Sequence, residues 1–377
     1  MIIGPTYPYR GGNSLFVSIV YEVLSKQFEV KIYNYKLLYP SILFPGKTQY
    51  DKSKALIKII PSVRAINSIS PLNWIIVANK IKKENADLVI FDWWHPFFSF
   101  CHFTISKMLK KKYPGKILFI TENIISHEGH LIDKFLTKLG LKNADMFLAL
   151  SEEVAKKLND LSINKKIYRS ELPVYDWYNI NNKINNEKFR EELGFSNKNK
   201  ILLFFGYVRK YKGLDILIDA LKPLLDYDSQ IRLLVVGEFY SDFNFYKNKV
   251  SELMLDNYVK IINEYVPNEE VNKYFEVSDL AVLPYRSATQ SGILNISYGA
   301  LKPVVVTNVG GLCESVIDGV TGVIVEKAEP NYIYEGVKKF FQLNNSVDFS
   351  KNIKEKIRNN SFNKFPELIS QIISEAK

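Results

Sequence analysis

The stretch Gly206-Tyr207-Val208-Arg209-Lys210-Tyr211-Lys212-Gly213-Leu214-Asp215 sets a glycine turn and the cations Arg209 and Lys212 between an apolar run and an amphipathic pattern starting at Ile216. Such a turn at the carboxyl end of a parallel strand is where an α/β sheet holds phosphate, because free backbone N–H groups and fixed cations face the anion. Cations there neutralise a departing diphosphate, the kind of charge stabilisation that usually gives the largest catalytic contribution. A capping turn with solvated lysines is the plainer alternative. A second block runs from Pro284 to Leu294 and continues through Lys302-Pro303 to Gly310-Gly311-Leu312-Cys313-Glu314. Thr289, Gln290, Ser291 and Gly292 stand before a helix pattern, so their N–H groups would face an anionic ligand. Ser or Thr at such a place also serves as a simple N-cap. Gly11 and Gly12 follow the first strand pattern and permit close backbone approach, or form an ordinary turn.

Two more segments end strand patterns. Thr121-Glu122-Asn123-Ile124-Ile125-Ser126-His127-Glu128 offers a carboxylate and an imidazole. Glu122 only accepts hydrogen bonds at neutral pH unless burial raises its pKa, and His127 reads equally as a structural histidine or a helix cap. Asp92-Trp93-Trp94-His95-Pro96-Phe97-Phe98 places Trp94 and His95 where aromatic faces beside a polar group would suit a sugar or a lipid tail. They would equally suit packing under a loop.

The turn from Gly206 to Gly213 resembles the G-x-x-x-x-x-K-G turn of the retaining family-4 glycosyltransferases, of the glycosyl transferases group 1 type with a GT-B fold. Lys212 is in register; the arginine that directly follows the first glycine in many members comes two residues later as Arg209, with Tyr207 in its place. The second block is similar to the family's donor-binding signature, in which two glutamates eight positions apart flank the turn. Anchored on Lys302-Pro303, those positions are Ala288 and Ile296. The second of these acids usually holds the donor ribose, which leaves Gln290 and Asn295 as polar candidates to replace it. Gly11 and Gly12 match the paired glycines that face the donor phosphates. The segment 121–128 resembles H-N-V-L-P-H-E, with Glu122 where a histidine stands near the transferred sugar, and His127 and Glu128 matching the second histidine and its acid.

The resemblance implies a nucleotide diphosphate sugar as donor, no cofactor, and a glycan or lipid-linked acceptor. It implies catalytic roles for Arg209, Lys212, Glu122 and His127. Donor contacts would come from Gly11, Gly12, Gly206, Thr289, Gln290, Ser291, Gly292 and Asn295; the acceptor contacts expected of Trp94 and His95 rest on their own aromatic and polar chemistry. The nucleoside diphosphate would leave onto Arg209, Lys212 and helix N-termini while an acceptor hydroxyl attacks from the same face, with retention of configuration.

These residues need a scaffold, and the chain of 377 residues supplies the pattern of one. Strand-length apolar runs with little alternation, such as Leu88-Val89-Ile90-Phe91 and Ile201-Leu202-Leu203-Phe204, alternate with longer amphipathic stretches. Strands buried on both faces of a parallel sheet, joined by helical crossovers, have this signature. The expected fold is α/β GT-B: two Rossmann-like domains with parallel sheets facing across a cleft. The polar, proline-containing stretch after Glu171 puts a boundary near residue 178, giving an acceptor-side domain at 1–178 and a nucleotide-sugar domain at 179–355. Residues 356–377 read as a C-terminal helix packing back on the first domain.

Cys101 and Cys313 are far apart, without a CxxC pair or a His/Cys cluster of metal spacing. Asp226-Tyr227-Asp228 falls in a helix-to-strand loop and reads as a solvated turn, so the chemistry is expected to be metal-independent. No G-x-G-x-x-G follows the first strand, which argues against a dinucleotide oxidoreductase. No signal-peptide pattern or span of roughly 20 apolar residues is seen, so a cytoplasmic protein, peripheral at the inner face of the membrane, is expected. Residues 1–180 hold 25 Lys and Arg against 15 Asp and Glu, whereas residues 181–377 hold 25 of each. The excess is either a generic solubility charge or a basic face for an anionic membrane or acidic acceptor. Lys107, Lys110, Lys111, Lys112 and Lys116 are its densest candidates, with Trp93 and Trp94 as nearby apolar contacts. Scattered lysines without a recognised motif argue against nucleic acid. A GT-B nucleotide-sugar epimerase, and a catalytically silent GT-B binding subunit motivated by the missing glutamates, are the rival readings.

Overall fold

Apolar runs without alternation become central parallel strands here, because both of their faces are covered by helices. The structure is a computed structural model that describes all residues except 45, 55–58, 112–113, 125–130, 162–163, 176–184, 241 and 377. It divides into two compact units, one of residues 1–52, 57–172 and 361–377, the other of residues 53–56 and 173–360.

Unit 1 holds seven strands: β1 (Ile2–Ile3), β2 (Ile32–Leu37), β3 (Val63–Asn67), β4 (Leu88–Trp93), β5 (Lys116–Thr121), β6 (Met146–Ala149) and β7 (Lys166–Arg169). They form one parallel sheet in the order β3-β2-β1-β4-β5-β6-β7. Phe91, Phe119 and Phe147 stand in register across β4, β5 and β6 and build the middle of the core. Helix α1 (Gly12–Leu24) follows β1. Helices α2 (Pro71–Lys83), α3 (Ser99–Lys110) and α4 (Leu131–Leu141) follow β3, β4 and β5, and pack α2 on α3 and α3 on α4. Helix α5 (Glu152–Asp160) leads into β7. Strand order reverses between β1 and β4, and ligands of open α/β sheets bind outside the carboxyl ends of strands at such a point.

Unit 2 repeats the plan with β8 (Lys200–Phe205), β9 (Ile231–Val236), β10 (Val259–Ile262), β11 (Leu280–Leu283), β12 (Val304–Thr307) and β13 (Gly322–Val325). Its parallel order is β10-β9-β8-β11-β12-β13, with the reversal between β8 and β11. Helices α6 (Asn186–Glu192), α7 (Leu214–Tyr227), α8 (Phe243–Glu252), α9 (Asn268–Glu276), α10 (Gly292–Gly299), α11 (Pro330–Leu343) and α12 (Phe349–Asn359) accompany it. The two sheets are the pair of Rossmann-like domains of the GT-B fold.

The expected boundary at residue 178 lies outside the described residues; the division runs between Leu172 and Pro173. The final helix, α13 (Phe365–Ala376), belongs to unit 1, while α12 stays with unit 2, so the tail begins at Ser361 and not at 356. Phe16 of α1 packs against Phe362 and Phe365 at 5.9 and 6.0 Å between ring centroids, and the Tyr168 hydroxyl donates to Glu375 Oε2 at 2.7 Å.

Candidate active site

In unit 2, β8 ends at Phe205 and the chain turns at Gly206 with φ of +96°. A Cβ there would lie 2.9 Å from Ile293 Cδ1 and 3.3 Å from Lys212 Nζ. One glycine thus sits against both the start of α10 and the lysine, and a side chain would part them. Arg209, Lys210 and Tyr211 run on through a short 3-10 turn that ends at Gly213, which opens α7 with φ of +70°. Lys212 is only 7% exposed, with its ammonium 5.5 Å from the centre of the Tyr285 ring. Burial, aided by the neighbouring Arg209 charge, lowers its pKa to about 7. The plainer alternative, a turn with solvated lysines, does not hold for Lys212: the cation is buried. Arg209 lies over the Tyr240 ring at 5.1 Å, and Tyr240 stacks on Tyr207 at 4.6 Å, so the residue in the usual arginine position helps to seat the arginine that follows.

A residue that the sequence did not single out locks this turn. Arg286, just past β11, donates from Nη1 to Asp215 Oδ1 at 2.9 Å, from Nη2 to Asp215 Oδ2 at 2.6 Å, and from Nη1 to the Lys210 carbonyl at 2.7 Å. Its backbone N–H donates to the Tyr211 carbonyl at 2.7 Å. Burial works against the Asp215 carboxylate, but the bidentate arginine outweighs it and lowers the pKa. The two blocks singled out in the sequence are thereby one body.

Ser291 is the N-cap of α10, its Oγ accepting from Leu294 N at 3.3 Å, as the plainer reading of that serine allowed. Thr289 and Asn295 are buried, Gln290 is partly buried, and a Cβ on Gly292 would meet nothing within 4 Å, so the helix start is open there. Asn295 lies one turn after Ser291 and on the same side of α10. The Ala288 carbonyl accepts from Gly311 N at 3.2 Å, and Thr307 Oγ1 donates to the Tyr285 carbonyl at 2.6 Å, so the second glycine pair braces the loop.

In unit 1, Gly11 caps α1 with φ of +103° and no side-chain cap bond, and Gly12 is open to solvent. Glu122 follows β5, is 6% exposed, and donates its N–H to the Trp93 carbonyl at 3.0 Å. Burial raises its pKa to about 7, against a hydrogen bond from the Asn13 side chain. Asp92 on β4 is also buried, and neither of its carboxyl oxygens has a hydrogen-bond partner among the described residues. Burial, and then the Glu122 charge, push its pKa well above the usual carboxylate range. The carboxyl end of this sheet therefore carries two protonatable acids beside the glycine turn. His127 lies outside the described residues. Trp93 is fully buried, which removes it as an exposed apolar contact; the Trp94 indole donates to the Tyr39 hydroxyl at 3.1 Å. His95 is exposed and its Nδ1 accepts from Phe97 N at 3.1 Å, capping the short turn at 96–98. Lys110 is ion-paired with Asp145, and Lys112 lies outside the described residues.

These pKa directions carry a test. Glu122 binds more protons in the folded chain than in the unfolded chain between pH 4.5 and about 7. Stability must therefore fall as pH rises through that window. Glu122→Gln is expected to flatten this part of the profile and to raise stability at pH 8 by up to about 3 kcal/mol. Thermal melts of both proteins across the window check it; an unchanged slope in the variant would assign the slope to other groups.

Among the described residues no three His, Cys, Asp or Glu side chains come together as a metal site. Asp228 pairs with Lys200 at 2.6 Å at the amino edge of the second sheet, away from Lys212.

Known proteins share both the sequence pattern and the fold. The family model described as glycosyl transferases group 1 matches residues 185–360, which contain Gly206, Arg209, Lys212, Arg286 and the whole α10 loop. An uncharacterized glycosyltransferase of Methanocaldococcus jannaschii is 26% identical over 93% of this chain and 89% of its own. A D-inositol 3-phosphate glycosyltransferase of Corynebacterium aurimucosum is 31% identical over 37% of this chain, a match spanning 34% of that protein. The solved structure of Anabaena HepE in complex with UDP-glucose is 15% identical, with a TM-score of 0.78 over 99% of each chain. The similarity to the glycosyl transferases group 1 family thus spans residues 185–360, within a chain of GT-B fold.

Proposed function

We propose that the chain transfers a sugar from a nucleotide diphosphate donor to a glycan or lipid-linked acceptor, with retention of configuration and without a metal ion. The observation that carries this reading is the buried Lys212, held against Gly206 beside the open start of α10. An ammonium near pKa 7 is only partly charged at neutral pH. A diphosphate completes its charge, so the site gains most from the ligand whose negative charge grows as the bond breaks.

In the proposed reaction the bond from the anomeric carbon to the diphosphate breaks, the pair of electrons leaving with the phosphate onto Lys212, Arg209 and the α10 N–H groups. The acceptor oxygen forms its bond on the same face and gives its proton to the departing phosphate oxygen, whose negative charge grows as the first bond breaks. Glu122, with a pKa near 7, both donates to and accepts from a sugar hydroxyl at neutral pH, which lets a carboxyl stand where the family has an imidazole. Gln290, Asn295 and the Thr289–Gly292 loop hold the rest of the donor in place of the two absent glutamates. Relatives of the fold solved with UDP-glucose support a UDP-sugar as the first donor to try. No helix among the described residues is long and apolar enough to cross a membrane, and the proposed site of action is the cytoplasmic face of one.

A panel of nucleotide sugars in a thermal-shift assay tests donor binding, because a true donor raises the melting temperature by mass action. Proton NMR of the product then reads the anomeric configuration; an inverted product would sink the retaining assignment. Release of nucleoside diphosphate only when acceptor is present separates transfer from epimerisation, and binding without turnover over all acceptors would leave a binding subunit. Activity is expected to persist in EDTA. A strict requirement for manganese or magnesium at constant ionic strength would overturn the metal-free reading.

A further inference from the structure

Strand alternation places two acids on one side of the first sheet. On β4, Val89, Phe91 and Trp93 join a core cluster with residues of α2 and α3, so Ile90 and Asp92 face the other way, toward α1. On β5, Ile117 and Phe119 enter that cluster, which leaves Leu118, Ile120 and, one step past the strand, Glu122 on the Asp92 side. Asp92 is in register with Ile120, and the Glu122 N–H continues the ladder to the Trp93 carbonyl, so the two acids are diagonal neighbours. A Cβ on Gly4 would lie 3.1 Å from Asp92 Cβ and 2.9 Å from Val17 Cγ2, so the bare glycine after β1 lets α1 close over Asp92. Asp92 is left 1% exposed, and neither of its carboxyl oxygens has a hydrogen-bond partner among the described residues.

Nothing in that packing requires an acid. An aliphatic side chain like that of Ile90, buried on the same face two residues earlier, would fill the place without a stranded polar group. With no donor to hold a charge, Asp92 keeps its proton, and its O–H then needs an acceptor. Glu122 is the acid whose charge acts on it. Two carboxyls in one site give up their protons in sequence, the second only against the charge left by the first. Glu122 goes first, at about pH 7, with the Asn13 side chain in the first turn of α1 favouring its ionised form. Asp92 follows at higher pH, so in between the pair holds one proton and one negative charge. The other ionisable groups around it do not exchange that proton. Strand β1 and residues Gly12 to Val20 of α1 carry none. On β2 the Tyr35 phenol is held protonated, by burial first, and is bonded to His102 Nε2 at 2.8 Å; burial keeps His102 neutral. Arg10, buried before Gly11, is permanently charged. His127 and Glu128 lie outside the described residues.

We infer that Asp92 is a positioning residue for the proposed transfer: it shares one proton with Glu122 and thereby decides whether Glu122 donates to a sugar hydroxyl or accepts from it. When Glu122 ionises, the Asp92 O–H turns to its carboxylate and stabilises the charge, which brings the change of role to neutral pH despite burial. Asp92 itself, closed off under α1, touches no substrate. The inference rests on the role proposed for Glu122 in that transfer.

The test uses the full chain with isotope-labelled carboxyl groups, whose NMR shifts report each ionisation directly, alongside the pH dependence of kcat. In Asp92→Ala the Glu122 midpoint is expected to rise by about one pH unit, or roughly tenfold in proton affinity. In Asp92→Asn, which keeps an N–H donor and the same shape, it should rise by less. The kcat profile should move by the same amounts, which a merely structural role would not produce. In Glu122→Gln the Asp92 midpoint should fall, because the neighbouring charge is gone. An unchanged Glu122 midpoint in both Asp92 variants would overturn the pair, and so would a fall, since that is the mark of an Asp92 already ionised. If the Asp92 variants do not fold, the Glu122→Gln spectrum decides alone: an Asp92 midpoint that stays in place overturns the pair. Shifted midpoints with no turnover for any nucleotide sugar leave the pair standing and remove the transferase reading; turnover with unshifted midpoints does the reverse.

Discussion

Lys212→Met is expected to raise thermal stability and to cut turnover by about a hundredfold or more. The two effects have one cause. Folding takes the Lys212 ammonium out of water, and its pKa falls from 10.5 to about 7. Between those values the unfolded chain binds more protons than the folded one, so the burial penalty is largest below pH 7 and shrinks as pH rises toward 10.5. At pH 7 it is on the order of 4 kcal/mol. An unbranched apolar side chain of similar volume fills the place beside Tyr285 without that penalty, and a unit of this size gains roughly 2–4 °C for each kcal/mol recovered. The donor loses the cation that the unfavourable burial provides. Affinity for the nucleoside diphosphate should also lose its pH dependence: in the wild type, binding takes up a proton above pH 7, so the dissociation constant rises with pH, and in Lys212→Met it should stay flat. Calorimetry of the two proteins in a pH series, with initial rates, measures all three quantities. Near-wild-type turnover would remove Lys212 from the leaving-group site, and a large fall in melting temperature would make it a structural residue.

The parts of the architecture that were legible are those where local sequence and tertiary role agree. Strand β4 is buried at all six positions and reads as an unbroken apolar run from Leu88 to Phe91; β8 is buried at its four middle positions, Ile201 to Phe204. The register of Lys212 was visible because a glycine, a cation and a second glycine keep fixed spacing in a short turn. Its burial was not, since that depends on Tyr285 and on the start of α10, which reach it only through the fold. The Arg286–Asp215 pair spans 71 positions, and nothing local to either residue marks the partner. Asp92 looked like the leading residue of an aromatic run. Only the pairing of β4 with β5 brings it beside Glu122 and makes two acids out of one. Ser291 illustrates the reverse case, a residue whose local chemistry as a helix cap was enough to place it.

Gly213→Ala tests whether the phosphate-side turn is a rigid part of unit 2. The backbone at Gly213 has φ of +70°, a left-handed conformation that costs an alanine about 1 kcal/mol. Space is the larger obstacle. A Cβ built on Gly213 would lie 2.0 Å from the Pro284 carbonyl oxygen, and Pro284 is backbone just past β11 that cannot swing aside as a side chain would. The loop after it is tied to the turn by the Arg286 bonds to Asp215 and Lys210, so moving Pro284 strains those as well. Together the two effects should cost about 3 kcal/mol or more, and the loss should appear as a lower melting temperature with weaker donor protection. Gly292→Ala is the matched control, because its Cβ would meet no atom within 4 Å and should leave the fold intact. Equal stability of Gly213→Ala and the wild type would mean that the turn moves freely against β11, and Lys212 would then not be held in the fixed position that the proposed chemistry requires.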